Sequence, residues 1–179
     1  MSQNTRYSGI SIALHWLMVV LIAAAYTFIL IRGEFPKGSE PRALVKMLHF
    51  SIGLTLFGLV WVRIAARLAG GPPPAIMPAP PALQHKLAKL AHLALYGLMI
   101  GMPIGGALIL GFEGEALPWF GLFELRLPLA ASEQYAELFE ELHETGGTIG
   151  YFLIGLHAVA GLYHHYFLRD NTLKRMLPG

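Results

Sequence analysis

Four apolar stretches, at about residues 10–31, 45–66, 83–111 and 143–168, dominate this chain of 179 residues. A helix rises about 1.5 Å per residue, so each stretch can cross the roughly 30 Å of a bilayer's hydrocarbon core. In hydrocarbon the backbone must satisfy its own hydrogen bonds, which favours helices for runs of this length. The expected fold is an all-α integral membrane protein, a four-transmembrane-helix bundle in a single domain covering residues 1–179. Only 13% of residues are charged and 55% are hydrophobic, about half the charge of an ordinary soluble domain. The first stretch is too long for a signal-peptide core and lacks a small-residue cleavage site, so it is read as a retained span.

Charge sets the expected orientation. With four crossings, both termini and the proline-rich linker share one side, which holds Arg6, Arg63, Arg67, Lys86, Lys89, Arg169, Lys174 and Arg175 against the lone carboxylate Asp170. The other side holds Arg32, Lys37, Arg42, Lys46, Arg126 and every glutamate. The positive-inside rule therefore places both termini in the cytoplasm. The basic residues form no patch or aromatic-interleaved run, so despite a pI near 9.0 no nucleic-acid partner is expected.

Between the spans, Ser39 and Pro41 suit a helix N-cap and first turn. Residues 70–81, GGPPPAIMPAPP, read as a semi-rigid polyproline connector. In the third span Gly97, Gly101 and Gly105 recur every fourth residue, which permits close helix packing or makes room for a flat cofactor. Pro103 is expected to kink that helix. Residues 112–134 read as an acidic polar connection with Pro118, Trp119 and Phe120 at headgroup level. From Ser132 an amphipathic helix should lead into the fourth span, and the tail should form a short interfacial helix after an Asp170 or Asn171 cap.

Histidines carry the functional signal. Residues 143–165, HETGGTIGYFLIGLHAVAGLYHH, hold four of them in an otherwise apolar run. His143 and His157 are separated by about 21 Å of helical rise and about 1400° of rotation, so both imidazoles leave nearly the same face at two depths. Ionisable residues inside a span are rare and usually functional. By depth, His49 lies with His143 towards the outer side, while His15, His92, His157 and His164 lie in the inner half. His85 and His165 fall closer to the inner surface. Two haems would fit this distribution, each clamped by imidazoles from two helices. His49 with His143 is the outer pair; for the inner pair His15 is matched with His157, although depth alone also permits His164. With both axial positions filled, such iron suits electron transfer. The chain has no cysteine, which excludes disulfides, thiolate metal sites and covalent haem attachment.

His15-Trp16, the proline-rich linker, Gly155-Leu156-His157-Ala158, His164-His165-Tyr166-Phe167 and Asp170-Asn171-Thr172-Leu173 resemble the bacterial dihaem cytochrome b561 family, with the superoxide oxidase type the nearest match. The spacing from His143 to His157 is also similar to that in cytochrome b subunits of membrane hydrogenases and formate dehydrogenases. The resemblance implies an inner-membrane protein holding two haem b groups, ligated by His15 with His157 and by His49 with His143. It also implies a ubiquinone site near the inner haem, for which His92 and His164 are the candidates. Arg63, Arg67 and Lys89 are candidates to pair with haem propionates or quinone, or are simple cytoplasmic anchors.

The expected activity is oxidation of superoxide to oxygen on the outer side, with ubiquinone reduced in the membrane. An anionic substrate gains from a positive approach. The outer side is net negative, so Lys37, Arg42 and Lys46, just before His49, are the candidate steering charges. The alternative is a cytochrome b subunit of a larger dehydrogenase or hydrogenase, taking electrons from a periplasmic redox partner. A histidine-lined transporter is disfavoured by the absence of an inverted repeat and of intramembrane carboxylates.

Overall fold

The computed structural model describes residues 5–178. Among them are four helices long and apolar enough to cross a membrane: α1 Gly9–Ile31, α2 Glu40–Ala69, α3 Ala82–Glu113 and α4 Glu133–Tyr166. Consecutive helices pack as antiparallel neighbours, with α1 on α2, α2 on α3 and α3 on α4. The first three expected spans lie within these helices, whereas α4 stops at Tyr166, two residues short of the expected end at 168. Both α2 and α4 also begin well before the apolar runs do. Of their polar first turns, only that of α4 has a side-chain cap, since the Ser39 hydroxyl before α2 donates to the Pro36 carbonyl at 2.8 Å. Ser39 is the N-cap of α2 with Pro41 in the first turn, and the Ser132 hydroxyl accepts the Tyr135 N–H of α4.

Met18, Ile52, Leu56 and Val60 form the buried centre between α1 and α2, closed over by Tyr96, Met99 and Ile100 of α3. Outward-facing side chains such as Val20, Phe152 and Leu156 are exposed and apolar, which suits a lipid solvent. On α4, Gly150 is buried, and a Cβ there would strike the Tyr26 hydroxyl and Leu98. Its absence lets α4 settle against α1 and α3. Helix α3 continues through Pro103.

The connection between α3 and α4 is ordered in a way its composition hides. Leu117–Trp119 (β1) and Phe123–Leu125 (β2) form an antiparallel hairpin. Phe120 and Gly121 turn it with φ of 50° and 70°, the left-handed pair that suits strand twist. Asn-Gly or Asp-Gly would have announced this turn; Phe-Gly does not. The hairpin is fastened to α2 through Ser51, which is fully buried. The Ser51 hydroxyl accepts the Phe120 N–H at 2.8 Å and donates to the Met47 carbonyl at 2.7 Å. Trp119 Nε1 donates to Thr55 Oγ1 at 3.1 Å. Ser51→Val should strand the Phe120 N–H and lower stability by about 1–3 kcal/mol, read as a lower midpoint of thermal unfolding in detergent.

At the opposite end the proline linker, the start of α1 with the residues just before it, and the tail lock together. The Tyr7 N–H donates to the Arg175 carbonyl at 3.1 Å, and Trp16 Nε1 donates to the Met176 carbonyl at 2.7 Å. Asn171 accepts the Met77 N–H at 2.9 Å and donates to the Ala75 carbonyl at 3.1 Å. Arg175 is buried and donates to the Pro74 carbonyl. The expected tail helix is only a single 3-10 turn, Lys174–Met176; the polar side chains that suggested a cap hold the linker and the turn before it instead.

Candidate functional site

Two cross-helix imidazole pairs stand one at each end of the bundle. At the hairpin end, His49 of α2 and His143 of α4 have ring centroids 6.2 Å apart and planes at 81°. At the terminal end, His15 of α1 and His157 of α4 are 6.4 Å apart at 83°. Two imidazoles facing each other across one metal ion would have centroids about 6.3 Å apart, given about 2.0–2.1 Å from metal to nitrogen. The fourteen-residue step from His143 to His157 sets the two levels about 21 Å apart along α4.

Neighbouring groups orient these rings. His49 Nδ1 lies 2.8 Å from the Ala25 carbonyl, an arrangement that keeps the proton on Nδ1 and leaves Nε2 free to ligate. A Cβ at Gly105 would sit 3.4 Å from His143 Nδ1, and one at Gly106 would sit 3.3 Å from His143 Cε1. The glycine row of α3 therefore divides in two. Gly105 makes room for the His143 ring, whereas Gly97 and Gly101 face open space. Gly105 thus lies in the α3–α4 contact, with His143 Cβ 3.9 Å from where its own Cβ would be, and Gly97 and Gly101 do not.

The remaining candidates fall into separate neighbourhoods. The His92 ring lies 5.4 Å from that of His157, at the level of the terminal-end pair. His164 is about two turns nearer the end of α4. It meets the Gln84 amide nitrogen through Nε2 at 2.9 Å and Asp170 Oδ2 through Nδ1 at 2.5 Å. Arg63 Nη2 lies 3.3 Å from His15 Nδ1, and its Nη1 is buried with no partner among the described residues. Arg67 stacks on Tyr7, whose ring also receives Arg175. Lys89 is exposed.

Of the three steering candidates, Lys37 and Lys46 are exposed, with Lys46 Nζ over the Phe50 ring at 5.8 Å. Arg42 is committed elsewhere. Its Nη1 donates to the carbonyls of Arg32 and Phe35 at 2.9 and 3.0 Å, closing the loop between α1 and α2. Nothing in the local sequence separates this arginine from its lysine neighbours.

Gln84 is a site-end residue that sequence reasoning missed, and for Asp170 and Arg175 it missed the contacts. In the sequence Asp170 stands out only as the lone carboxylate on a basic face and as a helix-cap candidate. Burial raises the pKa of its carboxyl, but hydrogen bonds from His164 and Thr172 outweigh that and hold it below the ordinary range.

The profile of the prokaryotic cytochrome b561 family matches residues 6–179. The chain belongs to that family. It is 37% identical to cytochrome b561 homolog 1 of Escherichia coli (strain K12), over 97% of both chains. It is 38% identical to the probable superoxide oxidase CybB of Yersinia pestis, over 98% of this chain and 97% of that protein. Cytochrome b562 of Cereibacter sphaeroides is 28% identical, over 99% and 98% respectively.

A prokaryotic cytochrome b561 is a multi-pass membrane protein that binds haem b and transfers electrons. The residues here fit haem b. The imidazoles meet in facing pairs, and no cluster of three or more His, Cys, Asp or Glu side chains could hold a bare ion among the described residues. The unpartnered Arg63 Nη1 beside the His15 ring is placed for an anionic group, which a haem propionate would supply.

Proposed function

We propose that this cytochrome b561 moves electrons from the periplasmic face to the quinone pool, oxidising superoxide and reducing ubiquinone. The terminal end, where the basic residues gather, is the cytoplasmic side of the inner membrane. One observation carries the reading: imidazole pairs at 6.2 and 6.4 Å stand at two depths of one bundle. In this reading His49 with His143 and His15 with His157 are the axial ligands. Haem b, when bound, supplies one-electron carriers at both levels. Two superoxide radicals each give up one electron at the hairpin end and leave as oxygen, while one ubiquinone takes up two electrons and two protons. His164 and His92 line the quinone end, and Arg63 holds an anionic group beside His15. The 38% identity to a probable superoxide oxidase supports the choice of donor.

The test reconstitutes the protein in ubiquinone-containing liposomes and follows quinol formation after superoxide pulses. Quinol should form only with superoxide present. The rate should fall several-fold on raising salt, because exposed charges are screened over about 10 Å at 0.1 M. Lys37→Gln with Lys46→Gln should also lower it, whereas Arg42 is left intact for its loop. A rate indifferent to both salt and the two lysines would remove the steering role.

A second reading is favoured by one surface. Glu137, Glu140, Glu141 and Glu144 are all exposed on α4 beside His143, a face that would attract a basic redox partner and repel an anion. In that case the chain is the cytochrome b subunit of a larger dehydrogenase. A partner protein recovered in equal amount from mild detergent would favour it.

A further inference from the structure

Asp170 is 4% exposed, on the end of the bundle richest in lysine and arginine, yet it pairs with none of them. Its one ion-pair partner among the described residues is His164. Both carboxylate oxygens are used: Oδ2 meets His164 Nδ1 at 2.5 Å, and Oδ1 accepts the Thr172 N–H at 2.8 Å. Thr172 Oγ1 approaches the same Nδ1 at 3.3 Å.

The backbone is bent to achieve this. Asp170 N–H donates to the His164 carbonyl at 3.1 Å, and Arg169 takes a φ of 55°, a left-handed conformation that a side chain with a Cβ disfavours. The turn folds Asp170 back onto the ring that preceded it by six residues. On the other edge of the ring, Nε2 faces the Gln84 amide nitrogen at 2.9 Å. A carboxylate on Nδ1 keeps a proton there, so Nε2 is the nitrogen left to exchange one.

We propose that Asp170 is the positioning residue that holds His164 with Nδ1 protonated, so that Nε2 delivers the protons taken up by ubiquinone, with Gln84 as a donor to the quinone carbonyl. This rests on the quinone reading above. The Gln84 amide first leaves Nε2, to which it donates in the resting arrangement, and cytoplasmic water protonates that nitrogen. For each electron that reaches the quinone, the Nε2–H bond of the doubly protonated ring then breaks and a quinone O–H bond forms. The ring is left neutral, with Nδ1–H still donated to Asp170, and cytoplasmic water restores the proton at Nε2. Two such transfers complete the quinol, the electrons coming from superoxide or the partner donor.

The test uses the full-length holoprotein, reduced with dithionite and mixed in a stopped-flow instrument with decylubiquinone or with ferricenium, which takes electrons without protons. Asp170→Asn and His164→Gln should each slow reoxidation by decylubiquinone about 100-fold. Both should leave the ferricenium rate within about twofold, because no proton is taken up there. In Asp170→Asn the half-saturating quinone concentration should change little, and Asp170→Glu should recover most of the rate. Spectra of 15N-histidine-labelled protein should lose the Nδ1-protonated signature of His164 in Asp170→Asn. If His164→Gln is slow but Asp170→Asn matches the parent, the positioning role is overturned while the quinone site stands. A parental rate in His164→Gln removes His164 from the quinone site and overturns the proposal with it. Equal loss with ferricenium in Asp170→Asn would mark a merely structural residue and overturn the role as well.

Discussion

Purified without partners, the chain should carry about two haem b groups per polypeptide, and His49→Ala or His157→Ala should each lower that to about one. The expectation follows from the separation of the levels. His49 and His143 face each other at 6.2 Å, and His15 and His157 at 6.4 Å, about 21 Å apart along α4. Each alanine removes one of two protein ligands at one level and touches nothing at the other. The count is made by pyridine haemochrome assay against protein concentration. His92→Ala should keep both haems, since its ring stands beside His157 rather than as the partner across from it. A parent without haem under haem-sufficient expression would falsify the ligand assignment and the electron-transfer route together.

Gly106→Leu should remove the hairpin-end haem while leaving the terminal-end one. A Cβ alone at that position comes within 3.3 Å of His143 Cε1 and 3.9 Å of Phe50. Alanine asks the ring to yield a few tenths of an ångström. Leucine adds a branched group to a filled space, where overpacking typically costs about 1–3 kcal/mol. The ring can relieve that only by turning away from His49. The measurement is again haem per chain, with redox titration showing whether one of two components is lost. Gly58→Leu is the control, since its Cβ would meet nothing within 4 Å. Loss of both haems in Gly106→Leu would mean that the bundle had failed rather than one level of it.

The fold class was legible because hydrocarbon is a strict solvent. It demands long apolar runs with internally bonded backbones, so the spans can be counted from the sequence directly. Family membership was legible for a related reason. Histidines are costly in a span, so those present stand out against a simple background. Polar segments obey no such rule. The hairpin after α3 is made by a Phe-Gly turn and a buried serine on α2, and neither its short strands nor its composition announces it. The proline linker reads as a semi-rigid connector, and nothing in its own residues records that Asn171 and Arg175, about a hundred residues away, bind its carbonyls.

The sequence by itself determined that this chain spans a membrane four times, which end is basic, and at what depth each histidine lies. All three follow from one-dimensional quantities: hydropathy, charge and 1.5 Å of rise per residue. Only the tertiary structure decided which ring faces which. Depth permitted either His157 or His164 as the neighbour of His15. Rotation and packing of α1 and α4 bring His157 within 6.4 Å of His15 and leave His164 to Gln84 and Asp170. The same packing turned three similar cations before His49 into one structural arginine and two exposed lysines. Azimuth and pairing depend on contacts between distant segments, and no periodicity within a single segment records them.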